Sequence, residues 1–252
     1  MNQRALSFGS VASAYERFRP GYPDSLVDEV LAYAERPIGN ALEIGAGTGK
    51  ATRVFAARGI KVTATEPDPE MLRELRQHVP TTVTTARSTF EDLPLAQTYD
   101  LVFVAAALHW TSPDRRWPRV AALLAPAGIF ASFGGPIRVA DPDVEKAVRE
   151  ARSQFLADDE VQPPDGTPRD SPMQWPGTEL TRSDLFTDVR QSIIERRITM
   201  TARDYVGHLS TISAYLELPD SDRQQVLNRI AEVLPEQVSV AADLTLHLAR
   251  LA

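Results

Sequence analysis

"LEIGAGTGK", residues 42–50, stands between the run "PIGNA" and the helix-like "ATRVFAARG". Gly45, Ala46, Gly47 and Gly49 come directly after an apolar stretch that carries the carboxylate of Glu43. Glycines let the backbone turn sharply and let a ligand lie against bare main chain. Several ligands use such a loop, so its neighbours must discriminate.

On either side the pattern is regular. "NALEIG" reads as a short buried strand, and residues 50–58 as a helix closed by Gly59. "KVTATE" is a second strand, "PDPEMLRELRQHV" a helix with proline at its start, and "TTVTTA" a third strand. "YDLVFVAAA" is nearly all apolar, as a strand buried on both faces of a parallel sheet must be. A helix at about 114–124, broken by "APAG", leads to a fifth strand, "IFASFG". Upstream, a helix is expected over Ser25–Glu35, with Asp24 as N-cap and Leu26, Val27, Val30, Leu31 and Ala34 as its buried stripe. The alternation over residues 41–134 predicts a doubly wound α/β sheet. Ligands of such sheets lie beyond the carboxyl ends of the strands, which is where the loop falls.

The second half reads differently. Residues 141–157 look helical, and "VQPPDGTPRDSPMQWPG" then carries five prolines in a long connection. "DVRQSIIERRITM" suggests one strand, "ARDYVGHLSTISAYLEL" and "DSDRQQVLNRIAEVL" two helices, and "VSVAADLTLHLARL" a last strand. On the first of those helices Tyr205, Leu209, Ile212 and Leu216 share one face, and Asp204, His208, Thr211 and Tyr215 another.

Composition narrows the function. A net charge of −7, with basic residues scattered, argues against a nucleic-acid surface. The absence of cysteine removes disulfides, thiolate nucleophiles and Cys-based metal sites, and fits a cytoplasmic protein; no metal is expected. No apolar run approaches the roughly 20 residues of a membrane span, so no membrane partner is expected. "MNQRALSFGSVASAYERFRPGYP" has the Arg, Ser and few acids of a transit peptide, but "GYPDSLVDEVLAYA" follows at once as an amphipathic helix. It is therefore read as part of the folded chain.

Three loop readings compete. A P-loop requires a different glycine spacing and a hydroxyl after its lysine, and "GAGTGKA" has neither. A dinucleotide fingerprint is G-x-G-x-x-G, and this loop is one residue short. The third ligand is S-adenosylmethionine, which has no phosphate. Glu43 would repel a pyrophosphate and attract an ammonium. Glu66 ends the second strand, 21 positions after Gly45, where an acid accepts both hydroxyls of a ribose.

With these residues in view, residues 41–134 resemble the class I S-adenosylmethionine-dependent methyltransferases, specifically the small-molecule methyltransferase type 11 family. "LEIGAGTGKAT", "VTATEPDPEML", "STFEDLPLAQTYDLVFVAAALHW" and "LLAPAGIFAS" carry the resemblance, and "YERFRPGYP" is similar to a bacterial subgroup related to trans-aconitate methyltransferases. It implies a single domain with a Rossmann-like seven-stranded sheet, its last strand antiparallel, helices on both faces and helical lid insertions. Residues 1–40 would cover the cofactor, 41–134 would form the cofactor-binding core, and 135–252 would add the remaining strands and a substrate lid.

From the resemblance, the stretch from Glu43 through Gly45, Ala46, Gly47 and Thr48 to Gly49 holds the methionine moiety, with Ala105 nearby, and Glu66 holds the ribose. Pro67 and Met71 flank the adenine, and Phe90 offers it a backbone N–H between Thr89 and Glu91. Thr89 departs from the family's usual Asp, which shifts the exocyclic amine contact towards Glu91. Ala127 stands where the family usually has Gly. Tyr15 and Arg19 would cover the cofactor, Arg19 pairing with its carboxylate.

Methyl transfer from a sulfonium asks the protein mainly to position the nucleophile and exclude water. His109 in "AALHWTSPDRRW" is the candidate base and Trp110 an acceptor or sulfonium contact. Trp175, His208, Thr211 and Tyr215 are further acceptor-pocket candidates, whereas His78 and His247 read as structural. The acceptor is expected to be a small molecule, a specialised metabolite being one candidate, and the protein a monomer or homodimer. The rivals are a non-catalytic S-adenosylmethionine-binding partner or sensor, and an NAD-dependent oxidoreductase, which the loop spacing, Glu43 and the lack of a Tyr-x-x-x-Lys pair disfavour. A nucleic-acid methyltransferase is disfavoured by charge and by "AALHW" in place of an Asn-Pro-Pro-Tyr type motif.

Overall fold

The computed structural model describes residues 8–156, 163–168 and 170–252. A seven-stranded sheet runs in the order β3-β2-β1-β4-β5-β10-β7. Its parallel half is β1 (Asn40–Ile44), β2 (Lys61–Thr65), β3 (Thr84–Ala86), β4 (Tyr99–Ala105) and β5 (Leu124–Gly134). The strand β10 (Leu244–Leu251) then pairs antiparallel with both β5 and β7 (Phe186–Ile194).

Burial on both faces explains the apolar run in β4. Leu101 and Phe103 point into one layer with Val30 of α2 (Asp24–Ala34) and Phe55 of α3 (Lys50–Ala56). The Phe55 and Phe103 rings stack at 4.3 Å. Val102 and Val104 enter the opposite layer with Val120 and Leu123 of α5 (Arg116–Leu123) and Leu180 of α7 (Gly177–Arg182). Each such side chain contributes about 1.5–3 kcal/mol on leaving water.

Local signals set the boundaries. Asp68 caps α4 (Pro69–His78), accepting from the N–H groups of Glu70 and Met71 at 2.8 and 3.0 Å. Asp24 is not a cap: Pro23 holds that position, Asp24 is the first helical residue, and its carboxylate takes Arg58 instead. The "APAG" stretch lies within β5, where Ala127 is exposed and left-handed at φ 58°. This is the position the family usually gives to glycine, and its φ explains why.

The second half corrects three expectations. "DVRQSIIERRITM" is two strands, β7 and β8 (Arg197–Thr201), and "VSVAADLTLHLARL" is also two, β9 (Gln237–Ala241) and β10. A separate three-stranded sheet, β6-β9-β8, joins β8 and β9 to β6 (Arg138–Val139). The expected long helix breaks after Leu209 into α8 (Ala202–Leu209) and α9 (Ser213–Leu216). With α6 (Pro142–Arg152) and α10 (Asp220–Val233), these enclose a third core including Val226, Ile230, Val238 and Val240. Helix α1 (Ala12–Phe18) packs on α8 so closely that a Cβ at Gly207 would lie 2.6 Å from the Phe18 ring.

Candidate active site

Beyond the carboxyl ends of β1, β4 and β5 lies a cleft of about 710 Å³, the open solvent at its mouth included. Its floor is the glycine loop. Gly45, Gly47 and Gly49 have φ of 66°, 58° and 85°, the left-handed region open mainly to glycine. A Cβ on Gly45 would also stand 2.7 Å from that of Ala107. The loop is tied to β2 and its end: Ala46 donates to the Thr65 carbonyl, and Gly47 to Glu66 Oε2, both at 2.9 Å.

Glu43 is the chemical centre of this floor. Its side chain is 0% exposed yet borders the cleft. Thr52 donates to Oε2, whereas Oε1 has no hydrogen-bond partner among the described residues. Burial pushes the carboxyl up to about 8, against the Thr52 hydrogen bond, and the neighbouring Glu66 carboxylate pushes it further. Glu66 is likewise raised to about 7 by burial, opposed by the N–H groups of Asp68 and Gly47. A buried acid with a spare acceptor atom beside exposed main chain invites a cationic group. The free acceptor atom therefore fits the ammonium end of an amino acid, whose charge favours the ionised carboxyl.

Helix α1 closes the cleft from one side. Tyr15 and Arg19 line it, the Arg19 guanidinium lying 5.1 Å from the Tyr15 ring centroid. Arg19 also donates to the hydroxyl and carbonyl of Thr211, at 2.9 and 3.0 Å. Glu16 fastens α1 to α3: Arg53 meets its carboxylate at 2.9 Å and Lys50 donates to its carbonyl at 2.6 Å. A Cβ on Gly9 would run into the Asp68 carboxylate, so the N-terminal segment lies directly over the start of α4.

Of the expected cofactor residues, Tyr15, Arg19, Glu43, Gly45, Ala46, Gly47, Thr48 and Ala105 share the cleft wall. Gly49 is the N-cap of α3, Glu66 is bonded to the loop, and the Met71 methyl would lie 3.5 Å from a Cβ on Gly47. The adenine-side residues have partners of their own. Thr89 Oγ1 donates to Asp92 at 2.7 Å, Phe90 is buried, Glu91 accepts from the Ser112 N–H at 2.8 Å, and Pro67 accepts from Arg87.

The acceptor candidates divide. His109 and Trp110 form a half-buried 3₁₀ turn beyond β4, their rings 4.4 Å apart, and Trp110 meets Phe8 edge-on, beside the cleft and not on its wall. His208, Thr211 and Tyr215 are buried together near Arg19. Burial, seconded by Arg19, lowers His208 to about 3, so it is neutral. Trp175 does not join them: it packs in the opposite layer, 5.4 Å from the Arg116 guanidinium, which Thr111 and Glu179 hold. His247 is buried against Gln191 at 2.9 Å and lowered to about 4 by burial, in keeping with a structural role.

Among the wall residues that escaped the sequence reading are Tyr22 and Arg196. Tyr22 sits inside the quoted "YERFRPGYP", where its neighbours drew the attention. Arg196 lies in the link between β7 and β8 and carries no local signal.

A glycine-looped cleft over a seven-stranded sheet with one antiparallel strand is the architecture of class I methyltransferases. The comparisons agree. Residues 42–132 match the methyltransferase type 11 profile, described as a methyltransferase domain. An uncharacterised methyltransferase of Mycobacterium tuberculosis is 33% identical over 240 residues, covering 94% of this chain and 89% of that protein. A trans-aconitate 2-methyltransferase of Variovorax paradoxus is 34% identical over 125 residues, 46% of this chain and 44% of that one. The structure of a putative type II methyltransferase from Anaeromyxobacter dehalogenans superposes with a TM-score of 0.65 at 26% identity, covering 92% of this chain and 98% of that one. The chain belongs to the S-adenosylmethionine-dependent methyltransferases, in the type 11 family.

Proposed function

We propose that the protein transfers the methyl group of S-adenosylmethionine to a small-molecule acceptor, with specialised metabolism as one setting. The observation that carries this reading is the buried, half-partnered carboxylate of Glu43 at the edge of a left-handed glycine loop. Glu43 and the loop bind the methionine end, Glu66 accepts from the ribose hydroxyls, and Pro67, Met71 and the Thr89–Glu91 stretch border the base. When bound, the cofactor supplies an electrophilic methyl carbon on a sulfonium.

The remaining work belongs to this chain. Of the three stretches 1–40, 41–134 and 135–252, the described residues of the first cover the cleft and exclude water, the second binds the cofactor, and the described residues of the third complete the sheet and form the acceptor side. Tyr15 and Arg19 shield the floor, while His208, Thr211 and Tyr215 form the backing against which Arg19 is held. His109 removes the proton at the acceptor heteroatom where the acceptor attacks from a protonated group, and Trp110 packs beside it. Among the described residues no helix is long and apolar enough to cross a membrane, and the chain has no cysteine. The reading is of a cytoplasmic enzyme, monomeric or homodimeric, that works on a small molecule and not on nucleic acid or a membrane.

The test pairs calorimetry with turnover. S-adenosylmethionine should bind and NAD should not, and a panel of small acceptors should yield adenosylhomocysteine. Binding of NAD in preference to the sulfonium would end this reading. Cofactor binding with no transfer to any acceptor would instead favour the sensor.

A further inference from the structure

The cleft holds two guanidinium groups, Arg19 and Arg196, without a carboxylate partner among the described residues. Arg19 donates to the neutral Thr211 and lies over the Tyr15 ring. Arg196 also lines the cleft, half-buried, and its side chain makes no hydrogen bond or ion pair among the described residues. Asp243 meets the main chain of Arg196 and the side chain of its neighbour instead: its Oδ1 accepts the Arg196 backbone N–H at 2.8 Å and lies 3.7 Å from the Arg197 guanidinium. Burial lowers the pKa of Arg196, and the one group that opposes this is the Tyr22 hydroxyl. A half-buried cation without a counter-ion is costly unless something anionic arrives.

Position separates the two. Arg19 follows α1, which is bonded to the helix that leaves the glycine loop. Arg196 is anchored beside β10, its carbonyl accepting from Ala242 at 3.0 Å. In the sheet order, β10 is three strands from β1, roughly 14 Å at the spacing of neighbouring strands. Glu43 at the end of β1 fixes the ammonium of the amino-acid moiety, and the carboxylate on the same carbon must stay close by. One cofactor carboxylate leaves one cation over. Tyr22 lines the same cleft, its hydroxyl in the fields of Tyr15, Glu43 and Arg19 as well as of Arg196. Its ring packs edge-on against Phe133, 5.1 Å away.

We propose that Arg196, with the Tyr22 hydroxyl, forms an anion-binding subsite that seats a carboxylate of the methyl acceptor, so that the enzyme selects small organic acids. The assignment rests on the methyltransferase reading. Arg196 donates the charged hydrogen bonds, Tyr22 donates one more, and Ile137 and Leu244 give the adjoining apolar wall. Arg196 anchors the acceptor and takes no proton.

The experiment uses the full-length protein saturated with adenosylhomocysteine. Calorimetry compares glutarate and benzoate with glutaramide and benzamide, on wild type, Arg196→Met, Arg196→Lys and Arg19→Met. At least one carboxylate should bind wild type tenfold or more tightly than its amide. Arg196→Met should lose that preference, Arg196→Lys should regain part of it, and both should bind adenosylhomocysteine within about twofold of wild type. Arg19→Met should instead weaken adenosylhomocysteine. Equal binding of acids and amides, or no binding of either acid, overturns the subsite. So does a tenfold loss of adenosylhomocysteine affinity in a folded Arg196→Met, which would give Arg196 to the cofactor. If adenosylhomocysteine fails to bind wild type at all, the methyltransferase reading itself is what fails.

Discussion

Binding of the cofactor should expel a proton from the carboxylate at the glycine loop. Glu43 is raised to about 8, chiefly by burial, so at about pH 6.5 it is roughly 97% protonated in the ligand-free protein. An ammonium placed against Oε1 favours the anion, so binding drives the proton off. α-Amino groups titrate only at about 7.7–8.0, so at this pH the ligand brings its own charge and takes up little. The expected release is therefore close to one proton from Glu43, with a smaller share from Glu66. Apparent affinity should rise by up to about tenfold per pH unit between 5 and 7. Titration calorimetry in buffers of different ionisation enthalpy counts the protons directly. Glu43→Gln should remove its share of the release and weaken binding by about tenfold or more, since a neutral amide replaces a charged acceptor. The same shift fixes the stability of the free protein. A carboxyl raised in the fold stabilises it fully below the unfolded value of 4.5, and that stabilisation is lost as pH rises towards 8. Zero proton release, together with a Glu43→Gln variant that binds like wild type, would refute the electrostatic account of the loop.

The other predictions follow from single contacts. Glu66→Ala should weaken S-adenosylmethionine by roughly 10- to 100-fold, because a ribose diol loses a charged acceptor and Gly47 loses its tether; unchanged calorimetric affinity would retire the ribose assignment. His109→Ala should lower turnover far more than cofactor affinity, and should flatten the pH–rate profile near neutrality, whereas identical profiles would leave His109 a packing residue of the Trp110 turn. Ala127→Gly should raise thermal stability by about 1 kcal/mol, since an exposed left-handed alanine carries a steric strain that glycine lacks; a lower melting temperature would contradict that strain.

The first half of the fold was legible because each parallel strand is a short apolar run punctuated by a turn. β4 is buried on both faces, Gly59 ends α3 and Asp68 starts α4, and each event leaves a residue-level mark. The floor of the cleft was legible for the same reason: a left-handed loop needs glycine, and Glu43 and Glu66 stand near the ends of β1 and β2. The second half hid its turns. β7 passes into β8 through Glu195 and Arg196, and β9 into β10 through Ala242 and Asp243, with no glycine or proline in either link. Unbroken β-propensity reads as one strand, although each link carries the chain from one sheet to another. The helix break after Leu209 is silent too, since Ser210 and Thr211 resemble a polar helix face until the Thr211 side chain is seen accepting from Arg19. Those two strand links cross: Ala242 donates to the Arg196 carbonyl, and Arg196 donates to Asp243. The crossing sets Arg196 on the cleft wall across the sheet from the glycine loop. This part of the cleft wall is thus made by long-range topology, at the same two links where local sequence falls silent.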